Sequence, residues 1–387
     1  MKQNWEQKKL GDTFNFIDYR GMTPNKIDNG IPLITAKNVR MGYLDYSIKD
    51  YISESDYKKR QTRGIAHKGD ILFTTEAPLG YSAIADLEVF STGQRIITFQ
   101  QFENEKRIFN PFFNYYFQSI EFQTILKENA TGLTASGIKA ARLKELLVPF
   151  PPLEEQKRIV AVLDKKFAQI ETLKTAAEKN LQNTKQLFQA ELEKAFKNSS
   201  FENIELKNLI TLLSGQDFPP EKYNANKIGL PYITGASNFA DDGSIIINRW
   251  TDTPTVIAKE KDILLVVKGS GYGKVAFADF KEAHIARQIM ALRVNECVER
   301  VYLFYYLKCQ FEEIKKKGNG VIPGITRSDV LEMTLNLPSL EEQKRIVAHL
   351  DSLSEKVHQL EEIYTKQLAD CDELKQSFLQ KAFEGEL

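Results

Sequence analysis

Cysteine and histidine are scarce: Cys297, Cys309 and Cys371, with His67, His284, His349 and His358, are all that 387 residues contain. None stands in C-x-x-C or H-E-x-x-H spacing, so no zinc site is expected from them. An odd cysteine count without framework spacing argues against a disulfide scaffold and for a reducing compartment. Long apolar runs are missing as well. The longest, such as 263–267, fall far short of a membrane span. The opening MKQNWEQKKLGD has no apolar core for a secretory leader, so a soluble, cytoplasmic protein with no membrane partner is expected. Charge of one sign is not in excess: 52 Lys and Arg face 52 Asp and Glu. That excludes a globally basic nucleic-acid coat but not a local basic patch.

What is present is a repeat. LEEQKRIVA at 153–161 recurs letter for letter at 340–348, and the offset of 187 holds without a gap to 196 and 383, with 20 of 44 positions identical. Upstream, GIPLITAKN (30–38) parallels GLPYITGASN (229–238), and GDILFTTEAPLGY (69–81) parallels KDILLVVKGSGY (261–272). GIKAARLKELLVPFPPLEEQ (137–156) parallels GITRSDVLEMTLNLPSLEEQ (324–343). Offsets drift between 187 and 200, which places insertions in connecting loops. The order is A–B–A′–B′, with A units at 1–150 and 199–337 and B units at 151–198 and 338–387. The B units stayed alike while the A units diverged, the pattern of one scaffold presenting two different readers.

The A units read as mixed α/β, apolar enough to form real cores. Short β-branched and aromatic runs bounded by Gly, Pro and Asp predict strands at 31–35, 70–75 and 95–99, and at 230–234, 262–267 and 288–294. Helices are predicted from Asn110-Pro111 in the first unit and over 298–317 in the second. The B units, free of Gly and Pro over 153–196 and 340–383, predict two helices of 44 residues each, about 66 Å long. In B′ a 4,3,4,3 series runs Ile346, Leu350, Leu353, Val357, Leu360, Tyr364, Gln367, Cys371, Leu374, Phe378, a coiled-coil seam with one polar interruption. B keeps Ile159, Leu163, Ile170, Leu173, Ala177 and Leu187 in that register, with Lys166, Asn180 and Thr184 interspersed. Asn180 is the repeat equivalent of Gln367, and the pair is expected to fix register. B carries 9 basic against 7 acidic residues and B′ 6 against 11, which favours their pairing.

The A–B–A′–B′ order, the prolines closing each A unit (Pro149, Pro151, Pro152; Pro338) and the doubled L-E-E-Q-K-R-I-V helix start resemble the specificity subunit of type I restriction–modification systems over essentially the whole chain. The resemblance implies two α/β target-recognition domains, each reading half of a bipartite site in double-stranded DNA. Two long helices, an antiparallel coiled coil with a pseudo-two-fold, would hold them apart and dock two modification (methyltransferase) subunits. Restriction and motor subunits would join later, and the chain itself would need no cofactor. Helix length would then set half-site spacing, and unlike A units should read unlike halves.

Catalytic motifs are incomplete. Asn110-Pro111-Phe112-Phe113 partly resembles the N-P-P-[YF] motif of amino-methyltransferases, but it lacks the second proline and an accompanying glycine-rich loop, so a helix start is the better reading. Gly269–Lys274 is glycine-rich but misses phosphate-loop spacing, which favours a turn. DNA contact is expected from loops after the repeated strands: Lys37, Asn38 and Arg40 with Ser237 and Asn238; Tyr81 with Lys268, Ser270, Tyr272 and Lys274; and Arg95 with Arg287 and Gln288. Arg, Asn and Gln suit base edges, while Lys and Ser suit phosphates. The aromatic stretch 112–122 reads as core rather than a base-stacking platform. The repeated helix start offers a partner-docking set: Glu154, Glu155, Gln156 and Arg158, with Glu341, Glu342, Gln343 and Arg345. Alternatives are a coiled-coil adaptor whose α/β units bind protein, a single-chain methyltransferase or nuclease, disfavoured for want of motifs, and a specificity subunit serving methylation without a nuclease.

Overall fold

Strands apolar on both faces need cover on both faces, and that requirement organises each half of the chain. The computed structural model describes residues 5–131, 137–197, 201–240, 243–269, 271–310 and 324–387. Two compact units emerge, Met1–Glu178 with Lys366–Leu387, and Lys179–Thr365. Each holds one reader and parts of both long helices.

In the first unit, strands Phe14–Asp18, Ile96–Gln101, Ile71–Thr74 and Ser82–Ile84 form an antiparallel sheet in that order. Side chains alternate along each strand. Ile71, Phe73, Ile97 and Phe99 therefore point into a core with Phe112, Phe113, Tyr116 and Phe117, whereas Leu72 and Ile96 point the other way. The second face is covered by a smaller sheet, Lys26–Ile27, Tyr51–Ile52, Ile31–Ile34 and Ser91–Thr92, whose last pair is parallel. The second unit repeats the plan. Ile210–Ser214, Ile289–Val294, Ile263–Val266 and Val275–Phe277 pair in that order, and Leu230–Ile233 runs parallel to Glu282–Ile285 in the covering sheet. Ile263 and Leu265 face the helices, Leu264 and Val266 the covering sheet.

The predicted strands are found within a residue or two of their expected limits. The helix Asn110–Phe117 begins at the anticipated cap-and-proline, and its aromatics are buried core. The second reader helix is Arg300–Cys309; residues 311–323, which include the rest of the expected 298–317 stretch, lie outside the described residues. A short antiparallel pair at the base of each reader was not expected: Glu6–Lys9 with Leu147–Phe150, and Glu202–Glu205 with Thr334–Leu337.

The long helices run Leu153–Phe196 and Leu340–Glu384, with Glu154, Glu155, Glu341 and Glu342 at their positive N-terminal ends. In the first unit they pair antiparallel: Arg158 donates to the Leu387 carbonyl at 2.6 Å and Lys174 meets Asp372 at 2.9 Å. The seam differs from expectation. One series closes most fully, with Leu163, Ile170, Ala177 and Thr184 buried on one helix and Leu350, Val357 and Cys371 on the other. In the alternate series Ile159 is buried, but several leucines face outward: Leu173 is 51% exposed, Leu187 52%, Leu360 37% and Leu374 42%. Asn180 and Gln367 belong to that outward series and are exposed, so neither is a buried polar register pin. Among the described residues no helix is long and apolar enough to cross a membrane.

Candidate nucleic-acid interface

Three loops meet at one end of each reader because the strands they follow lie side by side. In the first unit Gly93 donates its N–H to the Ile34 carbonyl at 2.7 Å, Thr75 to Arg95 at 2.9 Å and Ile138 to Thr75 at 3.0 Å. In the second unit Ala286 donates to Ile233 at 2.9 Å, Val267 to Gln288 at 2.8 Å and Ile325 to Val267 at 2.9 Å. The junction is the same, built on different side chains. In the second unit it is also tight: a β-carbon on Gly271 would lie 2.3 Å from that of Ala236, and one on Gly235 2.5 Å from Gln288 Oε1. The expected loops therefore converge.

Lys37, Arg95, Ser237, Lys268 and Arg287 are exposed at these junctions, and Arg40, Tyr81, Tyr272, Lys274 and Gln288 are half-buried. Ser270 lies outside the described residues. Three of the arginines are steadied by acids. Arg40 meets Asp45 at 3.1 Å, Arg95 meets Glu76 at 3.9 Å and Arg287 meets Asp217 at 2.5 Å. Hydrogen bonds from Ser47, reinforced by the charge of Arg40, hold the Asp45 carboxyl below the usual carboxylate range. The 269–274 stretch is a tight turn, with Gly269 and Gly273 both at positive φ.

Asn38 and Asn238 correct the expectation of base contact. Both are buried. Asn38 Oδ1 accepts from the Thr35 N–H and hydroxyl, and its Nδ2 donates to the Asp45 and Ile48 carbonyls, all within 2.8–3.0 Å. Asn238 accepts from the Thr234 N–H and hydroxyl and donates to the Ile246 carbonyl at 2.7 Å. Amides so engaged organise the loop from inside and are not free for base contact. Gln156 and Gln343 correct the docking set in the same way. Each is 0% exposed, closed off from any partner. Glu155–Arg158 and Glu342–Arg345 form bidentate pairs on the helix surface, and the arginines hold both carboxyls below their ordinary range. Asn110, at the motif-like helix start, donates to the Gly69 carbonyl at 2.7 Å and accepts from Gln101 at 3.1 Å, a packing role.

Sequence reasoning missed Arg60 and Asp217. Arg60 is buried beside Tyr19, donating to Ser91 Oγ at 3.0 Å, to the Thr92 carbonyl at 2.5 Å and to the Met22 carbonyl. It braces the strand that leads into Gly93–Arg95. A lone arginine in a Lys-Lys-Arg run gives no sequence signal of this. Asp217 was legible only as a turn residue.

The family described as type I restriction modification DNA specificity domain matches this chain twice, over residues 2–182 and 198–368. The chain belongs to that family. This specificity chain is 28% identical to the putative type I restriction enzyme MjaX specificity subunit of Methanocaldococcus jannaschii, across 100% of itself and 94% of that relative. It is 23% identical to the type I restriction enzyme EcoBI specificity subunit of Escherichia coli, across 96% of itself and 83% of the relative. Its fold is that of a solved chain from a type I R-M system, with TM-score 0.83, 24% identity and coverage of 99% and 98%. It also matches the HsdS subunit from Thermoanaerobacter tengcongensis, with TM-score 0.61, 22% identity and coverage of 100% and 98%. At these identities the structural likeness is one of fold. The two family matches coincide with the two copies of the internal repeat, so the doubled loop junction is a property of two specificity domains in one chain.

Proposed function

We propose that the chain acts without catalysis of its own as the DNA-reading subunit of a type I restriction–modification complex. The observation that carries this is the doubled junction: one backbone arrangement presents Lys37, Arg40 and Arg95 in the first reader and Lys268, Arg287 and Gln288 in the second. Different side chains on one frame suit two unlike half-sites. Exposed cations within a neutral chain supply phosphate contacts locally.

Modification subunits are the partners we assign to the long helices, at a different surface from the buried glutamines. The outward leucines form repeat pairs at the 187 offset, Leu173 with Leu360 and Leu187 with Leu374. Two exposed leucines on each helix, present twice in equivalent form, suit two copies of one partner. Glu154, Arg158, Glu341 and Arg345 lie on exposed surface at the starts of the same helices and are assigned to partner docking with them. Restriction and motor subunits would assemble on the resulting complex, and cytoplasmic location follows from a genomic DNA target.

The test is exchange of residues 1–150 for the corresponding reader of another specificity chain. One half of the recognised site should change and the other should persist. A change in both halves contradicts independent reading.

A further inference from the structure

Two fully buried glutamines, 187 residues apart, make the same three hydrogen bonds. Gln156 Oε1 accepts from the Phe109 N–H at 2.8 Å, and Nε2 donates to the Arg107 and Pro151 carbonyls, each at 2.8 Å. Gln343 Oε1 accepts from the Glu299 N–H at 2.7 Å, and Nε2 donates to the Cys297 and Pro338 carbonyls at 3.1 and 2.9 Å. In each case the amide grips the segment just before the reader helix and the proline that leads into the long helix. A second tie follows. Tyr115 donates to Asp164 at 2.5 Å, and Tyr305 to Asp351 at 2.7 Å. In both units the second tie lies eight residues along the long helix from the glutamine, about 12 Å. A single tie permits a swivel; two ties that far apart fix a crossing angle.

Apolar packing alone would not fix this angle. Both reader helices already pack apolar faces, with Phe112, Phe113 and Tyr116 in one core and Tyr302, Leu303 and Tyr306 in the other. Apolar packing tolerates small rotations, whereas buried amides with directional partners do not. The same geometry is kept in two readers whose DNA-facing side chains differ, so it serves something common to both halves.

We propose that Gln156 and Gln343, seconded by Tyr115–Asp164 and Tyr305–Asp351, are positioning residues that set the gap between half-sites. This rests on the reading of the chain as a bipartite DNA reader. A gap changed by one base pair moves the second half-site by about 3.4 Å along the duplex and about 35° around it. Readers held at a fixed angle reject that displacement, and readers free to swivel accept part of it. The ties act on the gap and leave the bases read unchanged, because the junction loops lie on other strands' ends.

Selection from a random-sequence duplex library by the assembled complex of full-length chain and its modification subunits reads both properties at once. The wild-type complex should return two fixed base blocks with one gap. Gln156→Leu with Gln343→Leu should return the same blocks, with preference for the wild-type gap over gaps one base pair longer or shorter reduced about tenfold. Tyr115→Phe with Tyr305→Phe removes only the hydroxyls while the rings keep their packing on Phe167 and Phe188, and should widen the gap to a lesser degree. This pair reports on the proposal if the leucine variants do not fold. An unchanged gap distribution in a folded variant, or base preferences that decay in step with gap preference, would overturn it. Failure of the wild-type complex to return any bipartite motif would instead reject the DNA-reading role.

Discussion

Asp217 holds Arg287 twice: its Oδ1 accepts the Arg287 backbone N–H at 3.0 Å, and its Oδ2 lies 2.5 Å from the guanidinium Nε. The arginine side chain is otherwise well exposed, at 69%. A guanidinium fixed in this way is pre-aimed, and the carboxylate also lowers the local positive potential that would attract any duplex. Arg287→Ala should therefore lower second-half-site discrimination by about 1–3 kcal/mol. Asp217→Asn should strengthen binding to unrelated duplex while weakening discrimination at the same half. Competition binding with single-base variants of each half checks both, and equal losses in the two halves would contradict the assignment.

The close approach of Gly271 to Ala236 gives a second prediction. Neither partner can yield by a rotamer change, since one contact atom is itself a β-carbon. Gly271→Ala should displace one junction loop and reduce specific recognition of the second half-site, with the first half unaffected. Binding to duplexes carrying only one intact half-site measures this, and a silent substitution would remove the second junction from the interface.

The outward leucines predict separable partner binding. Leu173→Asp with Leu360→Asp places charge at an equivalent outward leucine on each long helix and should abolish capture of modification subunits. Melting of the free chain should fall less than for a buried leucine, because the two side chains are 51% and 37% exposed before assembly. Copurification of coexpressed subunits is the measurement; intact capture would move the docking surface elsewhere.

A pH effect is expected in the second reader. His284 is buried between Phe218 and Tyr232, its Nε2 donating to the Gln216 carbonyl at 2.9 Å and its Nδ1 accepting from the Val256 N–H at 3.3 Å. Burial pushes its pKa below the ordinary 6.5, against the raising effects of the two neighbouring carbonyls and Asp217. A histidine depressed in the folded state contributes stability above about pH 6.5 that is lost as pH falls. Protection factors around residues 216–218, taken relative to intrinsic exchange at each pH, should therefore fall between pH 7.5 and 5.5, more than at the first reader's loops. Uniform protection across that range would show that His284 does not govern this loop.

Much of the fold was legible because the chain states it twice. Long-helix limits followed from the absence of Gly and Pro, and the paired apolar strands from runs such as Ile263–Val266 that are buried on both faces. The half-closed seam was not legible, since Leu173 and Ile170 are alike in polarity and only geometry places one inward and the other outward. Glu6–Lys9 was invisible as a strand because its four polar residues show no alternation. At the candidate interface, spacing picked out loops that the fold brings together. Asn38 and Asn238 look like base readers by residue type, yet their amides close the turn from inside, as do Gln156 and Gln343 at the helix entry. Polar identity repeated in two copies signalled importance, but its direction depended on which backbone groups the fold left unpaired.

The most direct test of the account is base-modification sequencing of the host genome with and without this gene, in cells expressing the modification subunits. Methylation should be lost at one motif, made of two unlike halves at a fixed gap. An unchanged methylome under those conditions would contradict a DNA-reading role for the paired loop junctions.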